Sequence, residues 1–456
     1  MVQKLLLIYV LLKYSIGQVS LDFYPAVNQV TPKIKDETKN LTGKSIGITT
    51  YTSTTLNKIL GPIELSWYAR RTANYNRAMD NFLTQLKVGI VNVDASLNFR
   101  QLMTKYNRNT EVYEVFTNDG YVLSLFRIPG NGTPIFLMHG LLGSADDFII
   151  AGPESGLAYL LSEENYDVWL GNARGNKHSR RHIFMDPSEA LFWDFSWHEI
   201  GVYDLPAMID FVLEKTKRKE LKYVGHSQGT TVFFAMTSQK PEYNSKVSMM
   251  IALAPLAFLS HAHSPVVSLL APGTAILQTM SRGIRILEFQ PDGILANVLK
   301  QMVCGSGTLA EIICRNAIFL LSGFDFAQLN VSNLPVIFSH LPAGASIKQL
   351  VHYGQNSLFN EFRQFDLGSE GNFQRYGRST PPSYDLSNIV TPVWMFCGRS
   401  DWLSARQDVD LLRSKLKRVA EVYYVPFETF NHVDFILAKD VKPLVYKRLL
   451  NILRTY

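Results

Sequence analysis

The sequence predicts an α/β fold with a mostly parallel central sheet, helices on both faces and a helical insertion. Three observations carry that reading. Short apolar runs of strand length alternate with helix-like patterns, which is how a parallel sheet covered on both faces is written. A hairpin signal opens the regular region, and a long stretch rich in short helical patterns interrupts it at residues 258–384. The hairpin is Glu111–Phe116 and Tyr121–Ile128 around Asn118-Asp119-Gly120, alternating residues about a turn that needs glycine. The strand-length runs are Pro134–Met138, Tyr166–Leu170, Leu221–Val224, Met249–Leu253, Val393–Phe396 and Val422–Val425. The core is thereby divided into 105–257 and 385–456, with 258–384 as a cap between them.

The chain has 456 residues, 46% apolar and 18% charged. That describes a globular protein with a large core. The net charge of +6 suits an anionic interface, and it is also common in secreted proteins. The segment Lys215–Lys222 reads as a solvated face, and no basic run interleaved with aromatics points to nucleic acid. Residues 1–17 read as a signal peptide. Lys4 precedes the apolar run Leu5–Leu12, and Ser15-Ile16-Gly17 offers small residues before a cut at Gln18. A membrane span needs roughly 18 apolar residues, more than this run has. The apolar region Val266–Met280 is broken by Pro272-Gly273, so no transmembrane segment is expected.

A secretory route agrees with three sequons, at Asn40, Asn131 and Asn330. Secretion to the extracellular space is the expected localisation, with the lysosomal lumen as the alternative. Three cysteines cannot build a disulfide scaffold, but Cys304 and Cys314 are close enough to pair in an oxidising compartment. Cys397 is then left over, in a strand. Residues 18–104 have no legible chemistry and read as a propeptide or a structured N-terminal extension of unknown role. Arg70-Arg71 within it is a weak processing signal.

The chemistry lies further on. Gly225-His226-Ser227-Gln228-Gly229 follows the run Leu221–Val224 and precedes the helix-like Thr230–Met236. In G-x-S-x-G the serine occupies a tight strand-to-helix turn. The flanking glycines, Gly225 and Gly229, lack side chains that would clash there. A serine hydroxyl needs a base, and the base needs an orienting acid. Asp401 follows Val393–Phe396 and stands 174 residues after Ser227 (401 − 227). His432 follows Val422–Val425, 31 residues further (432 − 401). The order serine, acid, histidine fits this strand arrangement. Asp408 and Asp410 are rival acids, but they fall in the helical pattern Gln407–Lys415. Asp434 is expected to brace the turn after His432. Two backbone N–H groups must hold the oxyanion. The expected donors are Gln228, just after the serine, and Leu141, in the loop His139-Gly140-Leu141-Leu142-Gly143 that follows Pro134–Met138. His261-Ala262-His263 shows no obvious cysteine or carboxylate companions, so neither a metal nor a cofactor is expected.

These strings together resemble the acid lipases, the family of gastric and lysosomal acid lipase and secreted insect relatives, which have the α/β-hydrolase fold. The resemblance covers about residues 100–456. It rests on EVYEVFTNDGYVLSLFRIP (111–129), HGLLGSADDF (139–148), YDVWLGNARGNKHSRRH (166–182), FWDFSWHEIGVYDLPAMIDF (192–211), GHSQGT (225–230) and FNHVDF (430–435). It implies Ser227 as nucleophile, Asp401 as acid, His432 as base, Leu141 and Gln228 as oxyanion donors, and residues 258–384 as a cap. Cys304 and Cys314 fall where the family has a cap disulfide. The loop Pro129–Pro134 is short for the family, and the extension at 18–104 is much longer than its usual start.

The expected function is hydrolysis of carboxylic esters of lipids, acylglycerols or sterol esters, met at an oil–water or membrane interface. An esterase or thioesterase for soluble substrates is the alternative within enzymes. A non-catalytic lipid-binding protein would require a broken triad, and all three members are present.

Overall fold

The computed structural model describes residues 92–264, 267, 288–289, 325 and 327–456. In chain order their strands are β1 (Glu111–Phe116), β2 (Tyr121–Ile128), β3 (Pro134–Met138), β4 (Asp167–Leu170) and β5 (Arg181–His182). Then come β6 (Leu221–His226), β7 (Val247–Leu253), β8 (Glu288–Phe289), β9 (Ala345–Ser346), β10 (Val393–Cys397) and β11 (Val419–Tyr424). Among the described residues nine strands form one sheet in the order β1-β2-β4-β3-β6-β7-β10-β11, with β5 on β2. From β4 to β11 every pairing is parallel, while β2 runs antiparallel to its neighbours.

Each central strand is buried along its length, as a sheet covered on both faces requires. That is why these strands appear in the sequence as continuous apolar runs. The edge strand β11 is only half-buried. It begins three residues before its apolar run, because an edge strand tolerates polar residues such as Glu421 on its open side. Between β1 and β2, Gly120 lies at φ +94, and a Cβ there would overlap the His182 ring. The turn therefore requires glycine.

Three strings far apart in sequence meet in one buried ion cluster. Arg174, just beyond β4, is almost inaccessible. Its Nε donates to Asp204 Oδ1 at 2.7 Å, and its backbone N–H donates to Asp204 Oδ2 at 2.9 Å. Its two terminal nitrogens reach Asp119 in the hairpin turn at 2.6 and 2.8 Å. The guanidinium also lies 4.0 Å from the Tyr121 ring centroid. This cluster pins the hairpin and the segment after β4 to the helix Leu205–Thr216.

Two expectations need correction. The boundary at 104/105 cuts through a helix, Phe99–Lys105. Asn98 and Gln101 cap that helix reciprocally, and Phe99, Leu102 and Met103 are buried in the core. The Phe99 and Phe126 rings lie 4.3 Å apart. The hydrolase unit therefore starts before residue 105. The pattern Asn98-x-x-Gln101 was a capping box visible in the sequence.

The second correction concerns His261, which does have a carboxylate companion. Asp408 Oδ1 lies 2.8 Å from its Nδ1, and Asp408 Oδ2 accepts its backbone N–H at 2.9 Å. The pair joins the start of the cap to the helix Arg406–Lys415.

Cys304, Cys314, Asn40, the signal peptide and most of the 18–104 extension lie outside the described residues. So do most of the apolar stretches of the cap before residue 325. Asn131 and Asn330 are both exposed. Cys397 is a free, fully buried thiol at the end of β10. Among the described residues no helix is long and apolar enough to cross a membrane. The later part of the cap is packed into the body. The His352 ring stacks on Trp197 at 3.8 Å, and Phe362 and Tyr384 complete the aromatic cluster.

Arg174→Met should leave Asp204 buried without its counter-charge. Breaking such a pair costs about 3–5 kcal/mol. Denaturant unfolding of parent and variant measures it, and a loss below about 1 kcal/mol would show that the cluster does not anchor the hairpin.

Candidate active site

The chain runs from β3 outward to β4, then returns to place β6 on the other side of β3. Open α/β sheets bind ligands at such a switch point, beyond the carboxyl ends of the strands. Ser227 stands there, one residue after β6. Its backbone has φ 53 and ψ −117, a conformation that L-residues rarely adopt. The neighbours impose it. The Ser227 N–H donates to Leu253 O at 2.9 Å, and its carbonyl accepts from Thr230 N and Oγ1 at 2.8 and 2.7 Å. A Cβ on Gly225 would fall 2.7 Å from the Gly229 backbone, and one on Gly229 would fall 2.2 Å from Met138 O. Both flanking glycines are therefore demanded by close backbone approach.

The three residues predicted to act together do meet. His432 Nε2 lies 2.6 Å from Ser227 Oγ, and His432 Nδ1 lies 2.9 and 3.0 Å from the two Asp401 oxygens. All three are buried. Asp401 Oδ1 also accepts the backbone N–H groups of Leu403 and Ser404 at 2.8 and 2.9 Å. Burial works against the Asp401 charge, but His432 and these two donors overcome it and hold its carboxyl below the ordinary carboxylate range. Asp408 is committed to Ser260 and His261, and Asp410 faces Arg406. Neither rival acid is a partner of His432.

The loops carrying acid and base are tied to each other. Ser400 N donates to Phe430 O at 3.0 Å, and a Cβ on Gly398 would fall 2.6 Å from that same oxygen. Asp434 braces the histidine turn as expected, accepting Asn431 N–H at 2.6 Å, while Asn431 Oδ1 accepts Val433 N–H at 3.0 Å. His226, the variable residue of the G-x-S-x-G string, lies with Nε2 2.9 Å from His432 O. Burial, aided by the neighbouring His432 imidazole, drives His226 down to about 3. It is neutral, and its Nε2–H donates to that carbonyl.

The loop after β3 runs beside the serine. A Cβ on Gly140 would lie 3.1 Å from Ser227 Cβ. The backbone N–H groups of Leu141 and Gln228 have no acceptor among the described residues. A network that the sequence did not reveal sets this loop. His139 Nε2 accepts from Ala173 N at 3.1 Å, so its proton is on Nδ1, which donates to Gly140 O at 2.8 Å. Asn172 Oδ1 accepts from Ala145 N at 3.0 Å and from Asn176 Nδ2 at 3.1 Å. The signal for Asn172 and Asn176 was the polar string GNARGN directly after an apolar strand, while His139 heads the loop already singled out in the sequence. Among the described residues no group of three or more His, Cys, Asp or Glu side chains could hold a metal ion.

A family model described as "alpha/beta hydrolase fold" matches residues 133–438, and one described as "Partial alpha/beta-hydrolase lipase region" matches residues 99–152. Lipase 1 of Drosophila melanogaster is 40% identical over 368 residues, covering 79% of this chain and 80% of the relative. Gastric triacylglycerol lipase of Rattus norvegicus is 36% identical over 377 residues, covering 80% and 94%. Lipase member K of Homo sapiens is 36% identical over 375 residues, covering 80% and 92%. The chain belongs to the acid lipase family. This acid lipase is a triacylglycerol lipase-like serine hydrolase with the α/β-hydrolase fold.

The buried histidines give the acid lipase a pH signature. Burial lowers His139 from 6.5 to about 4. Below pH 6.5 the unfolded chain binds this proton, and the folded chain does not until about pH 4. His139 therefore contributes stability that is complete above pH 6.5 and is lost as the pH falls. One pKa unit is worth about 1.4 kcal/mol, so the loss reaches on the order of 2 kcal/mol by pH 5. Melting of parent and His139→Gln at pH 7 and pH 5 tests this. The drop in Tm should be smaller in the variant, and equal drops would contradict it.

Proposed function

We propose that this acid lipase hydrolyses carboxylic esters of lipids through an acyl-enzyme on Ser227. The observation that carries the reading is the 2.6 Å contact of His432 Nε2 with Ser227 Oγ, backed by buried Asp401 on Nδ1. His432 Nε2 takes the hydroxyl proton as Ser227 Oγ attacks the ester carbonyl. Asp401 keeps the other imidazole proton on Nδ1 and stabilises the imidazolium that forms. The developing oxyanion is held by the free N–H groups of Leu141 and Gln228. As the tetrahedral intermediate collapses, the proton on His432 passes to the departing alcohol. Water then enters. His432 Nε2 takes a proton from it as the water oxygen attacks the acyl carbon, and returns that proton to Ser227 Oγ as the C–Oγ bond breaks and the acid leaves.

The substrates assigned are acylglycerols and sterol esters presented at an oil–water or membrane interface. Kinship with lipases and an insertion that begins just beyond the carboxyl end of β7 support this assignment. Selection of lipid esters is assigned to the cap, residues 258–384. Secretion follows from the leader at residues 1–17, and glycosylation at Asn40, Asn131 and Asn330 agrees with it. The lysosomal lumen is the alternative destination.

Ser227→Ala should abolish turnover without loss of folding. Removing the nucleophile of a triad costs up to about 10⁶-fold in rate, and residual activity within tenfold of the parent would sink the mechanism. Asp401→Asn should lose most activity, whereas Asp408→Asn should change it little. The reverse order would move the acid to Asp408.

Rates of the purified full chain on triolein, a cholesteryl ester and a short-chain ester, measured at acid and neutral pH, define the substrate class. With the short-chain ester the rate should jump as concentration passes the solubility limit. A smooth hyperbola through that limit would favour a soluble esterase.

A further inference from the structure

One strip of the cap, residues 340–349, makes buried contacts to both segments that carry the free amides beside Ser227. On one side it grips the loop after β3. Ala343 N donates to Leu142 O at 2.6 Å, and Ala343 O accepts from Lys177 N at 2.7 Å. The buried Asp146, five residues beyond Leu141, lies 2.7 Å from His340 Nδ1, 2.8 Å from His178 Nε2 and 2.5 Å from Lys177 Nζ. Lys177 Nζ also donates to His340 O at 3.1 Å. Leu142 itself sits at φ 63, so the loop's path is strained locally and must be held from outside.

On the other side the strip reaches the residue after the serine. Gln228 Nε2 donates to Gln349 Oε1 at 2.7 Å, with both side chains buried. Gln349 is fixed in turn by Ser346 Oγ, which donates to Phe195 O at 2.5 Å. The contacts on the two sides share no side chain. They converge only in what they hold.

We propose that the strip 340–349 braces the oxyanion hole, with His340 and Gln349 as positioning residues for the Leu141 and Gln228 amides. The proposal rests on the catalytic reading above. The physical case is one of precision. Donors stabilise an oxyanion only when preorganised, and one donor is worth about 10²–10³ in rate. A displacement near 1 Å can cost about 10²-fold. The β3 loop has a core-side anchor at Asn172, and its cap-side anchors are Ala343 and His340. Among the described residues the Gln228 side chain has one hydrogen bond, to Gln349, and its Oε1 has no partner. Removing a brace should leave substrate binding intact and weaken the transition state alone.

The test uses the full-length enzyme and a soluble short-chain ester, so that lipid binding by the cap does not enter. Gln349→Met removes the acceptor while keeping the shape. His340→Ala removes the link to Asp146, which keeps His178 and Lys177. Each variant should melt cooperatively, with kcat lowered about tenfold to 100-fold and KM within about twofold of the parent. His340→Asn, which restores an N–H donor near Nδ1, should recover most of the loss. If His340→Ala does not fold, Gln349→Met decides. Folded variants with kcat within twofold of the parent, or losses carried by KM, would overturn the brace. Ser227→Ala run in parallel separates the two readings. If that variant keeps its activity, the catalytic assignment fails. If it is inactive while both brace variants keep parental kcat, only the brace fails.

Discussion

The backbone of Ser227 is the constraint on which the site depends. A serine at φ 53 is held against its own preference by neighbours that leave it no other path. Its N–H is taken by β7, its carbonyl by the first turn of the following helix, and Gly229 lies against the end of β3. Shifting any of these three elements would move the hydroxyl relative to His432. The sheet order follows the same logic. β6 lies between β3 and β7, so the strand supplying the serine touches both the strand supplying the Leu141 loop and the strand leading into the cap. The acid and base loops come from the next two strands, β10 and β11, and are joined at Phe430 O.

Around this elbow the polar groups are buried, and their charge states are set by burial. His139 and His226 are neutral and work as hydrogen-bond hinges with a defined tautomer. Burial pushes the Asp434 carboxyl well above its ordinary value, and it serves the turn that carries His432. Arg174 is different, a buried cation answered by two carboxylates from separate strings. The neutral groups set angles and the ion cluster sets distances between elements. Together they let a site assembled from five strand ends stay in register.

Much of this was legible in the sequence because it is written locally. A doubly covered strand must be apolar along its length, so β3, β6 and β10 could be read directly, and the hairpin announced itself through Asn118-Asp119-Gly120. Gly225 and Gly229 marked the elbow because only glycine permits the close backbone approaches found there. The order Ser227, Asp401, His432 pointed to partners more than 170 residues apart, since each follows its own apolar run. The choice of Asp401 over Asp408 rested on loop against helix, and the helix Arg406–Lys415 carries Asp408 away toward His261.

What escaped was the pairing of polar residues across long separations. Nothing local in Arg174, Asp119 or Asp204 says that they share one buried cluster, and nothing in Gln349 says that it reaches Gln228. Such contacts depend on how the chain returns to the sheet, and many polar residues of the same types stay at the surface. The hydrolase unit starts earlier than residue 105 because the short helix Phe99–Lys105, marked in the sequence only by its Asn98 and Gln101 cap, is fixed by packing Phe99 on β2. The sequence by itself determined the strands, the glycine-flanked turn at Ser227 and which three side chains, Ser227, His432 and Asp401, meet beyond them, because these follow from periodicity and backbone sterics. Only the tertiary structure decided which polar groups brace them, because a hydrogen bond between distant residues exists only once packing has brought them within 3 Å.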